Sequence, residues 1–163
     1  MTGGTMSETY LSIMLQSLCK KEAVLDEIIR LNDLQKVQLT DSQSPVQDFD
    51  DTVERKSACI GQLEQLDSGF EKLYAQVAEE LQTEKEKYAD TIRELQKHIR
   101  SVTDKSVKIQ AQEARNKDLM MQKFATVRQQ AKDVRANSKA INGYYRTMTY
   151  PGYMDSQFMD GKK

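Results

Sequence analysis

The sequence predicts an all-α protein, an antiparallel three-helix coiled-coil bundle with a very long third helix that extends beyond the bundle. Three observations lead there. Apolar residues recur in steps of four and three along most of the 163-residue chain, the spacing that lines one stripe of a helix. Hydrophobic residues make up only 38% and charged residues 30%, lean for one thick core but suited to long helices that bury a narrow stripe and wet the rest. Thr40-Asp-Ser-Gln-Ser-Pro-Val-Gln47 is the clearest break in the body of the chain. High charge and low mean hydropathy also mark disordered chains, and the sustained period is what argues against that reading.

Residues 1–6 read as a disordered leader. Ser7 is placed to cap a first helix over about 7–40, with Leu11, Leu15, Leu18, Leu25, Ile28 and Ile29 at helical spacing. Pro45 cannot continue a helix, and Asp41, Ser42 and Ser44 are turn formers. Asp48, Asp50 and Asp51 then put negative charge on the first turn of a second helix, about 48–82, where the macrodipole favours it. Its stripe is Phe49, Val53, Lys56, Ile60, Leu63, Asp67, Phe70, Tyr74, Val77 and Leu81. Gly61 and Gly69 weaken that helix, and Ser68 with Glu71 has capping-box spacing. Asp67-Ser68-Gly69 is therefore open to a kink or a break, although the unbroken phase of the stripe favours one continuous helix. Thr83 with Glu86 has the same spacing and marks a turn before the third helix.

The third pattern runs Tyr88, Ile92, Leu95, Ile99, Val102, Ser106, Ile109, Glu113, Asn116, Met120, Phe124, Val127, Ala131, Val134, Ser138, Ile141 and Tyr145 without a slip. At 1.5 Å per residue that is on the order of 90 Å, against about 50 Å for each of the first two helices. The bundle is thus expected over 7–118, its third helix covering 84–118, and 119–148 forms a partner-binding extension of that helix. From about Asn116 the stripe faces water unless something covers it. The chain folds back (at Asn137-Ser138 or Asn142-Gly143), a second copy pairs with it, or another protein binds. Residues 149–163 read as a flexible tail, since Pro151-Gly152 is a turn signal, yet the tail is rich in Tyr, Phe and Met.

Net charge is −1, but residues 1–104 carry 12 Lys and Arg against 20 Asp and Glu, and residues 105–148 carry 10 against 3. The basic end raises nucleic acid as a ligand. Lys105, Lys108, Lys117, Lys123, Lys132 and Lys139 are spread around the helix, however, with no aromatic stacking platform. A solvated face beside an apolar seam explains them, or a match to an acidic partner surface, and no nucleic acid is expected.

His98, the only histidine, reads as an exposed or edge residue, and no group around it in the sequence has metal-ligand spacing. No phosphate loop, nucleophile elbow or Cys/His pair appears, so no enzyme, cofactor or metal is expected. No apolar run approaches the ~18 residues of a membrane span, and the opening residues lack an export leader. The expected location is the cytoplasm, with Cys19 and Cys59 as reduced, partly buried thiols. Ser106, Glu113 and Asn116, with Asp67 on the second helix, put polar groups at core phase, which lowers stability but can fix register.

Four stretches are distinctive: Leu25-Asp-Glu-Ile-Ile-Arg-Leu-Asn32, Val53-Glu-Arg-Lys-Ser-Ala-Cys-Ile-Gly-Gln-Leu63, Val107-Lys-Ile-Gln-Ala-Gln-Glu-Ala-Arg-Asn116 and Tyr150-Pro-Gly152. Together they resemble the FlgN-type family of flagellar export chaperones (FlgN/FliT-like). The second is similar to that family's charged run followed by paired apolar residues. The third is similar to its stretch ending in Glu-x-x-Asn, with Gln112, Glu113 and Asn116 as motif residues, and the fourth is faintly like its tail tyrosine-glycine. The resemblance covers roughly residues 8–150, and the chain departs from it by running some thirty residues of helix past Asn116, with an unusual Tyr144-Tyr145 pair.

The resemblance implies a cytoplasmic type III export chaperone. Such a protein binds the helical termini of hook–filament junction proteins, keeps them unassembled and delivers them to the export apparatus. On that reading Met120, Phe124, Val127, Val134, Ile141 and Tyr145 form the cargo seam, where methionines give adaptability, and Tyr150 or Tyr153 docks at the export gate. Two alternatives stand beside it. One is a structural coiled-coil or adaptor protein that homodimerises through the C-terminal helix, and the other is a filament-cap chaperone of FliT type.

Overall fold

The computed structural model describes residues 6–125. They form three helices, α1 (Met6–Thr40), α2 (Val46–Thr83) and α3 (Ala89–Lys123), with no strand among the described residues. The helices are 35, 38 and 35 residues long, so each spans roughly 52–57 Å. α3 is therefore matched in length to its partners. The apolar period carries the third helix on to about 148, whereas α3 closes at Lys123. Phe124, at φ −106° and ψ 23°, leaves helical geometry and buries its ring. The expected extension from 126 onward lies outside the described residues. None of the described helices is long and apolar enough to cross a membrane.

The order is up-down-up with α1 in the middle. α2 returns antiparallel along one flank, so that Lys21 meets Asp67 and Gln35 meets Thr52. α3 runs parallel to α1 along the other, where Glu22 meets His98 and Asn32 meets Gln112. No Cα of α2 comes within 8 Å of one in α3. The stripes read from the sequence form the core. On α2 every stripe residue is buried except Ile60 and Asp67, which are half-buried, and on α3 every one from Tyr88 to Phe124 is buried except half-buried Ile92.

The helix ends differ from the expected caps. α1 begins at Met6, and Ser7, one residue inside it, donates its hydroxyl hydrogen across the bundle to Glu80 of α2 instead of capping its own helix. Tyr88 donates to the other oxygen of the same carboxylate. These two donors hold the Glu80 carboxyl below the usual carboxylate range, since both bonds favour the charged form. Thr83 bonds back to Glu79 O and closes α2, so it makes no capping box with Glu86. Residues 84–88 are turns, and α3 starts five residues later than the sequence pattern places it. At the other turn, Asp41 Oδ1 accepts from Gln43 N at 2.9 Å and Pro45 occupies the N-cap of α2, where its missing N–H costs nothing.

α2 passes through Asp67-Ser68-Gly69 without a break. A Cβ built on Gly61 or Gly69 meets nothing within 4 Å, and neither residue has a positive φ. Gly61→Ala and Gly69→Ala should each stabilise the bundle by about 0.5–1 kcal/mol, read as a rise of a few degrees in Tm. A lower Tm for either variant would contradict an unstrained, continuous α2.

Candidate functional site

Apolar burial along the bundle comes in two parts. The larger cluster runs from Leu11 and Tyr88 at one end to Leu31, Cys59 and Ile109. A smaller one, Leu39, Phe49, Val53, Met120 and Phe124, closes the other end. Between them lies a layer of buried polar residues from all three helices: Asn32 and Gln35 of α1, Thr52 and Lys56 of α2, and Gln112, Glu113 and Asn116 of α3. The three motif residues of the third helix therefore meet in one place, inside the molecule.

The centre of the layer is an ion pair. Lys56 Nζ lies 2.7 Å from Glu113 Oε1 and 2.6 Å from Oε2, and the two side chains are 4% and 1% exposed. Lys56 also donates to Gln35 Oε1 at 3.1 Å, and Gln35 donates to Thr52 Oγ1 at 3.0 Å. Asn116 Nδ2 donates to the backbone O of Asn32 at 2.8 Å. Asn32 Nδ2 donates to Gln112 Oε1 at 3.1 Å, and Gln112 donates in turn to Asp33 Oδ1. Burial pushes the Lys56 ammonium below its ordinary pKa, against the opposing pull of the Glu113 carboxylate. Desolvation disfavours the charged form of any buried amine, and an adjacent anion restores it only in part.

The end cluster closes the described bundle at the last turn of α3. The rings of Phe49 and Phe124 sit 5.8 Å apart at 57°, an aromatic pairing geometry. Beside them Lys123 Nζ donates to the backbone carbonyls of Gln38 and Asp41 at 2.7 and 3.0 Å. α1 has no basic residue of its own in its last turn, so Lys123 supplies the cation that the negative end of its dipole favours. The last turn of α3 is thereby tied to the α1–α2 loop.

The expected cargo seam is divided by this arrangement. Met120 and Phe124, read as facing a partner, are 1% and 4% exposed, because α1 and α2 reach as far as α3 does and cover them. Asn116 is likewise covered. Val127, Val134, Ile141, Tyr145, Tyr150 and Tyr153 lie outside the described residues. Sequence reasoning missed Asn32, Gln35 and Thr52 as layer members and Lys123 as a clamp. The signal that was available is Lys56 on the α2 stripe facing Glu113 on the α3 stripe, two opposite charges at core phase.

Elsewhere, the exposure of Cys19 differs from the partly buried thiol expected, while Cys59 is buried. The fold also brings Cys19 and Glu22 of α1 together with His98 of α3, a grouping invisible in linear spacing. An open groove of about 280 Å³ lies where α2 ends and α3 begins, lined by Tyr74, Ala78, Leu81, Ala89 and Ile92 among others. None of the expected site residues lines it. Lys105 of the basic segment is paired with Asp26 at 2.7 Å.

Compared with known proteins, the chain matches the FlgN family model, described as FlgN protein, over residues 6–151. No curated protein and no solved structure matches it.

Proposed function

The chain belongs to the FlgN family, a family of flagellar export chaperones, and from that premise we propose which partners it holds and where. It acts in the cytoplasm, binding the helical termini of hook–filament junction proteins, preventing their premature assembly and delivering them to the export gate. The cargo seam begins at Val127 and continues through Val134, Ile141 and Tyr145, with Tyr150 or Tyr153 docking at the gate. Met120 and Phe124 serve as the anchor from which that seam departs.

One observation supports this division above the others. α1 ends at Thr40 and α2 begins at Val46, both level with Phe124, which packs on Leu39 and Phe49. A helix continued in the same register past Phe124 would find no further length of α1 or α2 to cover its apolar residues. A partner's amphipathic helix supplies the missing face by helix-in-groove recognition. The basic balance of residues 105–148 favours a partner segment with acidic flanks, chiefly through association rate.

The test is light scattering coupled to size exclusion, with the C-terminal segments of junction and cap proteins from the same genome. A discrete complex with a junction segment is expected. Val134→Asp combined with Ile141→Asp should weaken it at least about 100-fold, the scale of losing two apolar anchors, with Tm unchanged. Capture of a cap segment alone would reassign the cargo to the filament cap. No complex with either, beside a tight homodimer insensitive to salt, would overturn the reading in favour of a structural coiled coil.

A further inference from the structure

Cys19 and Glu22 lie one turn apart on α1, and His98 of α3 packs opposite them. His98 Nδ1 is 2.5 Å from Glu22 Oε1, and one donor atom from each of the three side chains falls within 4.8 Å of the other two. The second ring nitrogen faces Glu94, one turn earlier on α3, at 3.7 Å. A small rotation of that exposed side chain would let it accept from this nitrogen and leave Nδ1 directed at α1. We propose that Cys19, Glu22 and His98 form a binding site for a divalent transition-metal ion of the zinc type.

The donor chemistry selects the ion. A thiolate, an imidazole and a carboxylate together suit a borderline-soft cation, whereas magnesium and calcium call for oxygen donors alone. Three protein donors and one solvent molecule complete a tetrahedral shell. Bonds of about 2.0–2.3 Å set neighbouring tetrahedral donors roughly 3.3–3.7 Å apart. The trio reaches that spacing by side-chain rotation, with the close Glu22–His98 contact opening and the sulfur drawing in. Both helices are held rigidly here by the larger apolar cluster, since Leu18, Leu25, Leu95 and Val102 are all buried beside the site. Access is also provided: Cys19 is exposed, and His98 and Glu22 are 22% and 20% exposed. Glu94 then plays the part of the outer carboxylate that orients a metal-binding histidine.

Binding exchanges the Glu22–His98 contact for three bonds to the ion and releases the thiol proton to solvent. It clips α1 to α3 across the parallel flank of the bundle, so the folded state gains stability with metal concentration.

The reduced chain without an affinity tag is titrated with Co²⁺ and its absorbance followed. Expected are a thiolate-to-cobalt charge-transfer band and the visible bands of a tetrahedral ion, saturating at one equivalent and erased by Zn²⁺. Cys19→Ser should abolish the charge-transfer band, and His98→Ala and Glu22→Gln should each weaken binding at least about tenfold. Cys59→Ser should leave it unchanged. Zn²⁺ should raise the Tm of the unaltered chain and not that of Cys19→Ser, whose exposed position lets the fold survive, as helical circular dichroism will confirm. The proposal is overturned by the absence of a saturable band, by a band that persists in Cys19→Ser, or by unchanged affinity in His98→Ala.

Discussion

Glu113→Ala should destabilise the bundle by about 3–5 kcal/mol, because it strands a buried cation. Lys56 is 3% exposed, and once the carboxylate is gone Gln35 Oε1 is the acceptor that remains to it among its described contacts. Burial already depresses its pKa, with Glu113 opposing that shift through both charge and hydrogen bond. Removing Glu113 removes the opposition, so the amine either gives up its proton or draws water into the layer. Lys56→Met should fail on the same scale for the mirror reason, leaving a carboxylate 1% exposed without its cation. The double variant Lys56→Met, Glu113→Leu should recover most of the loss, since buried pairs are often exchanged for apolar residues of like volume at little or no cost. Urea denaturation reads all three, with midpoint shifts at constant m. A loss under about 1 kcal/mol for Glu113→Ala, or a double variant as weak as the singles, would show that the layer is wet.

Phe124→Ala should cost about 3 kcal/mol or somewhat more, the low end of the range for a buried aromatic, since the residue closes the cluster at the bundle's end. The loss has two parts that a cycle with Phe49→Ala separates. The coupling between the rings should be roughly 0.5–1.5 kcal/mol, and the rest is cavity and lost transfer energy. Hydrogen exchange should rise most in the last two turns of α3. The consequence for binding studies is direct: Phe124→Asp should undo the bundle end, so a loss of binding in that variant would not identify Phe124 as a contact residue. On the proposed reading, a substitution such as Val134→Asp, paired with a Tm measurement, separates recognition from folding. A Phe124→Ala chain as stable as the original would refute the packing described here.

The helices themselves were legible in the sequence because a stripe repeating every 3.5 residues has a single structural meaning over thirty residues. Pro45 and its turn formers placed the first reversal within two residues. The second was misplaced because Thr83 and Glu86 have capping-box spacing, yet Thr83 bonds back into α2 and Tyr88 already belongs to the core. The periodicity continues through Phe124, while α3 closes at Lys123, and the expected extension from 126 onward lies outside the described residues. At the polar layer, the sequence showed that Lys56, Ser106, Glu113 and Asn116 stand at core phase. It could not show that Lys56 meets Glu113, because a helical stripe fixes which face is buried and leaves the relative slide of two helices undetermined. The Cys19, Glu22 and His98 grouping was hidden likewise, being a product of how α1 and α3 are aligned.

That α1 stands between the other two helices also sets the order of assembly. α1 and α2 are joined by residues 41–45 and can zip together as a hairpin, whereas α3 must close on α1 through pairs 76 to 85 residues apart in sequence. Chain-closure entropy and the late reward of distant contacts should make that docking slower than hairpin formation. Without α3, Lys56 would keep Gln35 as a partner and its remaining valences would face water. Docking strips its water, and only one alignment returns a carboxylate in exchange. A slip of seven residues along α3 keeps the apolar stripe in phase but offers Lys56 either Ser106 or Met120. The stripe tolerates such a slip and the charge does not. The buried pair therefore specifies the register of α3 more sharply than the apolar stripe alone does.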